Sequence, residues 1–328
     1  MVMHSRLTST LTDATLATLA ARHPFGRYAE DPSLPARAAR EQVAQAARQF
    51  LTAPGATAIE AVDSGGQTAG VLLFRPSPWD TEHFGYPCVI VDAVLIDAEE
   101  YAARRAVAET LLGGLTTWLH AHGTRFTSVR VPARDLPVVH AVEAVGFAFI
   151  EAWVFSHRPT AGVAEANEPF ALRPARPDDR VVMHACAAGA FDTQRFHADA
   201  RVDRAKADAL YSRWIDTSFS DPAMTTLVHE HEGRPVAFMT YFRSDLSATL
   251  GRRFAMWKMA LIDPALRGQG LGTRFFDALA RHHRDEGLDT IDSGVSLRNV
   301  ASINLHARCG FRVTSTLLTF HHWSDARA

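Results

Sequence analysis

Apolar residues along this chain follow two rhythms, every second position and every third or fourth, and their succession predicts its elements. Ala36, Ala39, Val43, Ala46, Ala47 and Phe50 carry one helical face that opens after Ser33-Leu34-Pro35, so residues 1–50 read as a helical lead-in. Strands over Ala58 to Val62 and Thr68 to Phe74 flank the hairpin turn Ser64-Gly65-Gly66-Gln67. Pro76 to Pro87 reads as a polar and aromatic loop bounded by prolines. A strand over Cys88 to Ile96, a helix over residues 103–122 and a strand over Thr127 to Val131 follow. A short helix then ends at Gly146-Phe147, before a strand over Ala148 to Ser156. Residues 159–170 keep neither rhythm and read as a linker. Beyond them come a strand at Ala171, a helix capped by Arg176-Pro177-Asp178-Asp179 and reaching Ala190, and a helix through Ala205, Ala209, Trp214 and Ile215. Strands over Thr225 to His229, Val236 to Phe242 and Met256 to Ile262 precede a helix whose face is Leu271, Phe275, Phe276, Leu279 and His283.

The order of elements repeats. Leu95-Ile96-Asp97 returns as Leu261-Ile262-Asp263, and the loop that follows is shorter in the second copy. Beyond it Val107, Leu111, Leu112 and Leu115 match Leu271, Phe275, Phe276 and Leu279 at a constant spacing of 164 residues. Gly123 and Gly146 match Gly287 and Gly310 at the same spacing, and each copy ends in Gly-Phe. Gly66-Gln67-Thr68 likewise corresponds to Gly233-Arg234-Pro235. Such a period predicts an α/β (α+β, mixed-sheet) protein of two tandem domains with one fold, over 51–158 and 171–323.

Between the strand closed by Asp263-Pro264 and the helix after it lies Arg267-Gly268-Gln269-Gly270-Leu271-Gly272. Three residues without Cβ let the backbone curl so that successive N–H groups converge at the positive end of the helix, which makes an anion cradle fit for a pyrophosphate. A dinucleotide loop would need Gly-x-Gly-x-x-Gly and a nucleoside triphosphatase loop Gly-Lys-Ser/Thr; Thr273-Arg274 follows Gly272, so neither pattern is present.

Arg-x-x-Gly-x-Gly after a strand resembles the acyl-CoA-binding loop of the GNAT superfamily of N-acetyltransferases. Asn299-Val-Ala-Ser302-Ile-Asn-Leu-His306-Ala-Arg-Cys309-Gly310-Phe311 is similar to that family's Asn-x-x-Ala-x-x-Leu-Tyr-x-x-x-Gly-Phe segment. The resemblance implies two acetyltransferase-like domains, with acetyl-CoA or another short acyl-CoA as co-substrate and no resident metal. Met259, Ala260, Leu261 and Ile262 would run along the pantetheine amides. Arg267, Gly268, Gln269, Gly270, Leu271, Gly272 and Thr273 would hold the pyrophosphate, and Asn299 and Ser302 would flank the pantetheine arm. His306 stands where the family has its tyrosine proton donor. An imidazole, with an ordinary pKa of about 6.5, can protonate a departing thiolate. Two other readings stay open: a spacer with water as the donor, or lost catalysis.

The N-terminal copy has Ala103, Ala106 and Ala108 for Arg267, Gly270 and Gly272, and Asp135 for Asn299. Added Cβ atoms block close approach to a phosphate, so this copy is expected to be degenerate and the acyl-CoA site to be single. Pro78-Trp79-Asp80-Thr81-Glu82-His83-Phe84-Gly85 resembles the Pro-Trp-Asp-Ser-x-x-Phe-Gly loop of two-domain sugar-nucleotide acetyltransferases of the dTDP-fucosamine type. Arg195-Phe196-His197-Ala198-Asp199 and Leu210-Tyr-Ser-Arg-Trp-Ile215 are similar to further segments of that group. These likenesses imply Glu82 or His83 as general base, and Trp79, Asp80, Phe84, Arg195, Phe196 and Lys258 on the acceptor side. The same loop also reads as a solvated segment in which Asp80 caps a turn. Asp292 is another candidate base, or a partner of Lys258 or Arg298.

Composition adds exclusions. With 47% hydrophobic and 21% charged residues and a net charge of −2, the chain has the make-up of a globular protein and no field for nucleic acid or acidic membrane. Its apolar runs are too short for a bilayer and it opens without a signal pattern, so a cytoplasmic place is expected. Three cysteines without Cys-x-x-Cys spacing fit free thiols. His282-His283 and His321-His322 are adjacent pairs facing different ways, a weak basis for metal. The expected partner is a small-molecule amine acceptor, an amino-sugar nucleotide or a natural-product amine, for a monomer or homodimer. A peptide or protein amine, or a non-catalytic acyl-CoA sensor, is the alternative.

Overall fold

The computed structural model describes residues 3–8, 11–23, 25–165 and 170–324, so residues 166–169 of the expected linker lie outside the described residues. The first elements are β1 (Met3–Thr8), α1 (Asp13–Arg22), α2 (Ala36–Leu51), β2 (Thr57–Asp63), β3 (Thr68–Pro76), α3 (Pro78–Phe84) and β4 (Cys88–Ile96). Then come α4 (Tyr101–Ala121), β5 (Phe126–Pro132), α5 (Leu136–Ala144) and β6 (Ala148–Pro159). The second series is β7 (Arg173–Pro174), α6 (Asp179–Ala187), α7 (Arg195–Ala198), α8 (Arg204–Ser220), β8 (Met224–His231), β9 (Arg234–Leu246), α9 (Ser247–Leu250) and β10 (Arg252–Ile262). It closes with α10 (Leu271–Asp285), β11 (Thr290–Ser296), α11 (Val300–Arg308) and β12 (Arg312–Trp323).

These elements form two units, residues 1–152 with 315–328, and residues 153–314. The boundaries differ from 51–158 and 171–323 for a reason of pairing. Residues 153–159 of β6 ladder onto β11, whereas residues 317–323 of β12 ladder onto β5. The lead-in also belongs to the first unit and contains a strand, β1, whose six residues pair antiparallel with β2. Period-two alternation places Leu72 and Phe74 in one core, with Leu111, Leu112, Leu115 and Phe320. Val71 and Leu73 turn to the other face, against Leu16, Leu19 and Ala47. In the second unit Met239 and Tyr241 meet Phe275, Phe276 and Leu279, while Phe238 meets Met183 and Ile215. The proline-bounded stretch expected as a loop is the helix α3, opened by Pro78 at its first position and stopped by Gly85 at φ 78°.

The internal repeat is structural. β5 and β11, α5 and α11, and β6 and β12 each begin and end 164 residues apart. Each unit also has a β-bulge at a matching place, at Asp92 in β4 and at Lys258 in β10. The copies part where α4 and α10 begin. α4 is already helical at Tyr101, whereas α10 starts at Leu271, the match of Val107. The extra turns of α4 bring in Arg104, which is buried. Its guanidinium donates to both carboxylate oxygens of Asp135 at 2.7 and 2.6 Å, and to the carbonyls of Ile96 and Ala98 at 3.1 Å each. In the repeat, Arg104 stands for Gly268 and Asp135 for Asn299. Asp135, which stands where the other copy has Asn299, is thus half of a buried ion pair.

Removing one member of such a pair strands the other in a low-dielectric site. Asp135→Asn is expected to cost about 3–5 kcal/mol in urea unfolding, and an Arg104→Met/Asp135→Leu double variant distinctly less. His23 reports on the same place. Its Nδ1 faces the Arg104 guanidinium at 3.4 Å, and burial with that cation lowers its pKa to about 3. The unfolded chain therefore binds a proton that the folded one refuses. This share of stability is complete above about pH 6.5 and is lost as pH falls toward 3. His23→Gln is expected to flatten the pH dependence of urea midpoints across that window.

Candidate active site

The site is built on the bulge in β10. β10 runs parallel to β11 from Phe254 to Trp257, and the pairing stops there. On its other edge β10 keeps its ladder with β9, which resumes past the bulge from Met259 to Ile262. Past Lys258, then, the edge of β10 that faced β11 has no strand partner among the described residues. A cavity opens in the wedge, lined by Lys258, Met259 and Ala260 on β10, Ser293, Gly294 and Val295 on β11, and Asn299, Ser302 and His306 on or beside α11. Trp153, Phe191, Gln194, Met239, Trp257 and Phe276 complete the wall.

The glycine turn lies next to this wedge. Gly268 and Gly270 have φ 76° and 80°, and a Cβ at either would meet nothing within 4 Å. Their need for glycine is therefore conformational, and the space beside them is open. Gly272 differs: a Cβ there would press on Leu305 and Ile262, so its glycine serves the close packing of α10 on α11 and β10. Gly270 is the N-cap of α10 and offers no side-chain oxygen. Among the described residues, the N–H groups of residues 268–273 have no protein acceptor at normal hydrogen-bonding geometry. An anion is the natural partner for such a run. Arg267 and Gln269 brace the loop, donating to the carbonyls of Ile262 at 3.2 Å and Ala265 at 3.0 Å.

Asn299 is the N-cap of α11, its side-chain oxygen accepting from the Ser302 N–H at 3.0 Å. His306 is buried beneath Phe276, Phe311 and Trp257, with ring centroids 5.2, 4.7 and 6.4 Å away. Its Nδ1 lies 2.7 Å from the Ser302 carbonyl, which only accepts, so the Nδ1 carries the proton. Its Nε2, 2.8 Å from the Ser293 hydroxyl, is then an acceptor in the neutral ring. Burial lowers the pKa of His306, against a smaller opposite effect of the Ser302 carbonyl. A neutral ring in this tautomer has no Nε2 proton to give.

Other expected residues fall elsewhere. Arg195 and Phe196 do not line the cavity: Phe196 is buried, and the Arg195 guanidinium sits 4.4 Å over its ring. Phe191 and Gln194, just before them, take their place. Lys258 does line it, with its Nζ 4.7 Å from the Phe242 ring. Glu82 and His83 lie on α3 in the first unit, and neither is among the cavity-lining residues. There Trp79 stacks on His83, buried Asp80 accepts from the Ser77 hydroxyl at 2.7 Å, and Phe84 packs on Tyr86 and Phe126. Asp292 pairs with His157, at 3.3 Å. Cys309 is a packed thiol whose pKa burial pushes up to about 11. His282, His283 and Glu286 bring ligand atoms within 4.8 Å of one another. The Trp257 indole, however, donates to His283 Nε2 at 3.0 Å and Arg243 pairs with Glu286, so both residues already have protein partners.

An uncapped glycine start to a helix thus lies beside a strand edge released by a bulge. Residues 190–311 match the model of the Acetyltransferase (GNAT) family, and the C-terminal unit is a domain of that family. Acyl transfer to amines, in general from acetyl-CoA, is the family's chemistry. The chain is similar to the spore coat polysaccharide biosynthesis protein SpsD of Bacillus subtilis, 21% identical over 79% of this chain and 86% of that one. It is also similar to the L-methionine sulfoximine/L-methionine sulfone acetyltransferase of Salmonella typhimurium, 29% identical over 30% of this chain and 59% of that one. A tandem GNAT protein from the clavulanic acid biosynthesis pathway shares the fold at a TM-score of 0.57 and 17% identity, covering 99% and 100% of the two chains. Among the described residues no helix is long and apolar enough to cross a membrane.

Ser293, Gly294 and Trp153 escaped the sequence reading. Gly294, alone in a strand interior, carried the signal of a close approach. A Cβ there would collide with the Trp153 indole and crowd Phe155. Gly294→Ala is expected to lower stability by about 1–3 kcal/mol through overpacking, measured by chemical unfolding.

Proposed function

We propose that this protein is an acyl-CoA-dependent N-acyltransferase that moves an acetyl group from acetyl-CoA to an amine of a small polar acceptor, an amino-sugar nucleotide or a natural-product amine. The observation that carries this reading is the unpaired run of N–H groups at residues 268–273 beside the released edge of β10. The cradle would take the pyrophosphate of CoA, and Met259 to Ile262 would pair with the pantetheine amides as an added half-strand. Asn299 and Ser302 would stand beside the arm. The thioester would reach the cavity lined by Lys258, Ser293 and His306. Amide N–H groups aimed at its carbonyl oxygen would stabilise the charge of the tetrahedral intermediate. Support for a small polar acceptor comes from relatives whose names point to polysaccharide biosynthesis and to an amino-acid analogue. In this reading the N-terminal unit holds no acyl-CoA, because helix α4 and the Arg104–Asp135 pair occupy the matching place.

Thermal unfolding with and without acetyl-CoA tests the reading. At about a hundred times its dissociation constant, acetyl-CoA is expected to add ~2.7 kcal/mol to the wild type. Gly270→Trp is expected to lose that increment, whatever its own melting temperature. Calorimetric titration is expected to give one acetyl-CoA per chain. No shift in the wild type would overturn the proposal, and two molecules per chain would overturn the single site.

A further inference from the structure

Ser293 and His306 form a hydrogen-bonded pair on the wall of the cavity, and the direction of its bonds is set by the backbone. The Ser302 carbonyl holds the His306 Nδ1 proton at 2.7 Å, so the bare Nε2 accepts the Ser293 hydroxyl at 2.8 Å. Both residues are buried, and both line the cavity where the reading above places the thioester. No other bond to the Ser293 hydroxyl is recorded among the described residues, which leaves its oxygen lone pairs to accept from a molecule in the cavity. The groups packed on His306 are uncharged: Trp257 from β10, Phe276 from α10, Ser293 from β11 and Phe311 beyond α11. Lys258 is the charged residue lining the same cavity, and its Nζ lies over Phe242.

Resting on the acyl-CoA reading, we propose that Ser293 is a catalytic residue that exchanges a proton with the acceptor amine, with His306 behind it as the proton store. The neutral amine attacks the thioester carbonyl; a C–N bond forms and the carbonyl π pair moves to oxygen. The ammonium of the tetrahedral intermediate passes a proton to Ser293 Oγ while the hydroxyl proton of Ser293 moves to His306 Nε2. The oxyanion pair then re-forms the carbonyl as the C–S bond breaks with its electron pair on sulfur, and the stored proton returns through Ser293 to the thiolate. The net change is amine plus acyl-CoA to amide plus CoA, with no outside acid or base consumed. Burial among aromatic rings keeps His306 neutral before attack and makes its cation a ready donor afterwards.

The test uses the full chain with acetyl-CoA and the best amine from a panel of amino sugars and amino acids, following thiol release. Ser293→Ala is expected to bind acetyl-CoA as the wild type does and to lose roughly 10²–10⁴-fold in kcat, along with the acidic limb of the pH–rate profile. His306→Asn is a second variant with the same expected loss. Nitrogen-15 spectra of the wild-type imidazole are expected to show a protonated Nδ1 and a bare Nε2, with the Nε2 resonance moving in Ser293→Ala. If the wild type turns over while Ser293→Ala matches its rate and pH profile, the relay fails alone. If the wild type binds no acetyl-CoA or acylates no amine, the acyltransferase reading fails and takes the relay with it.

Discussion

The bulge at Lys258 is the constraint on which the second unit's chemistry depends. One extra residue on one strand lets β10 keep its antiparallel partner while abandoning its parallel one. Had the parallel ladder continued, the backbone groups of Met259 to Ile262 would be consumed within the sheet and the wedge would be closed. A released strand edge in a protein interior is costly unless something pairs with it. A ligand with amides in its chain is the fitting partner. The same displacement lets α11 bring Asn299, Ser302 and His306 to a common wall with Ser293.

The two units show how one scaffold is kept with and without that use. The first has the bulge, at Asp92, and the parting of β4 from β5. Its α4 nevertheless starts where the other copy has a glycine turn, and a helix running through that place has its N–H groups bonded internally. Arg104 then needs an anion, and Asp135 supplies it from the start of α5. The exchange of Asn for Asp at this position is thus the companion of Gly for Arg at the other. Neither substitution makes sense alone, since either would leave one charge buried without its partner.

In the second unit, the state of His306 is decided by hydrogen-bond direction more than by residue type. A histidine in the place of the family's tyrosine suggests an acid. The carbonyl of Ser302, one helical turn back, takes the ring's only neutral-state proton, and the hydroxyl of Ser293 meets the remaining nitrogen. His282, His283 and Glu286, which the fold brings together like metal ligands, are bound up with an indole, a tyrosine and an arginine.

Periodicity alone determined most of the fold. Strand and helix faces read from apolar spacing are local properties of the chain, and the 164-residue repeat fixed their order twice over. The glycine turn was legible because φ > 0 is a backbone demand that few residues other than glycine meet. Four things were settled only by tertiary structure. The unit boundaries shift because β6 and β12 choose partners across the sequence, a pairing that no local pattern encodes. Pro76 to Pro87 folds as α3 because Pro78 and Gly85 suit the two ends of one short helix, a reading that competes evenly with a loop. Ser293 and Gly294 became site residues through a strand register, and the proton state of His306 through a carbonyl that sequence leaves featureless. Contacts between residues far apart in the chain, and the direction of the bonds they make, exist only once the chain has folded.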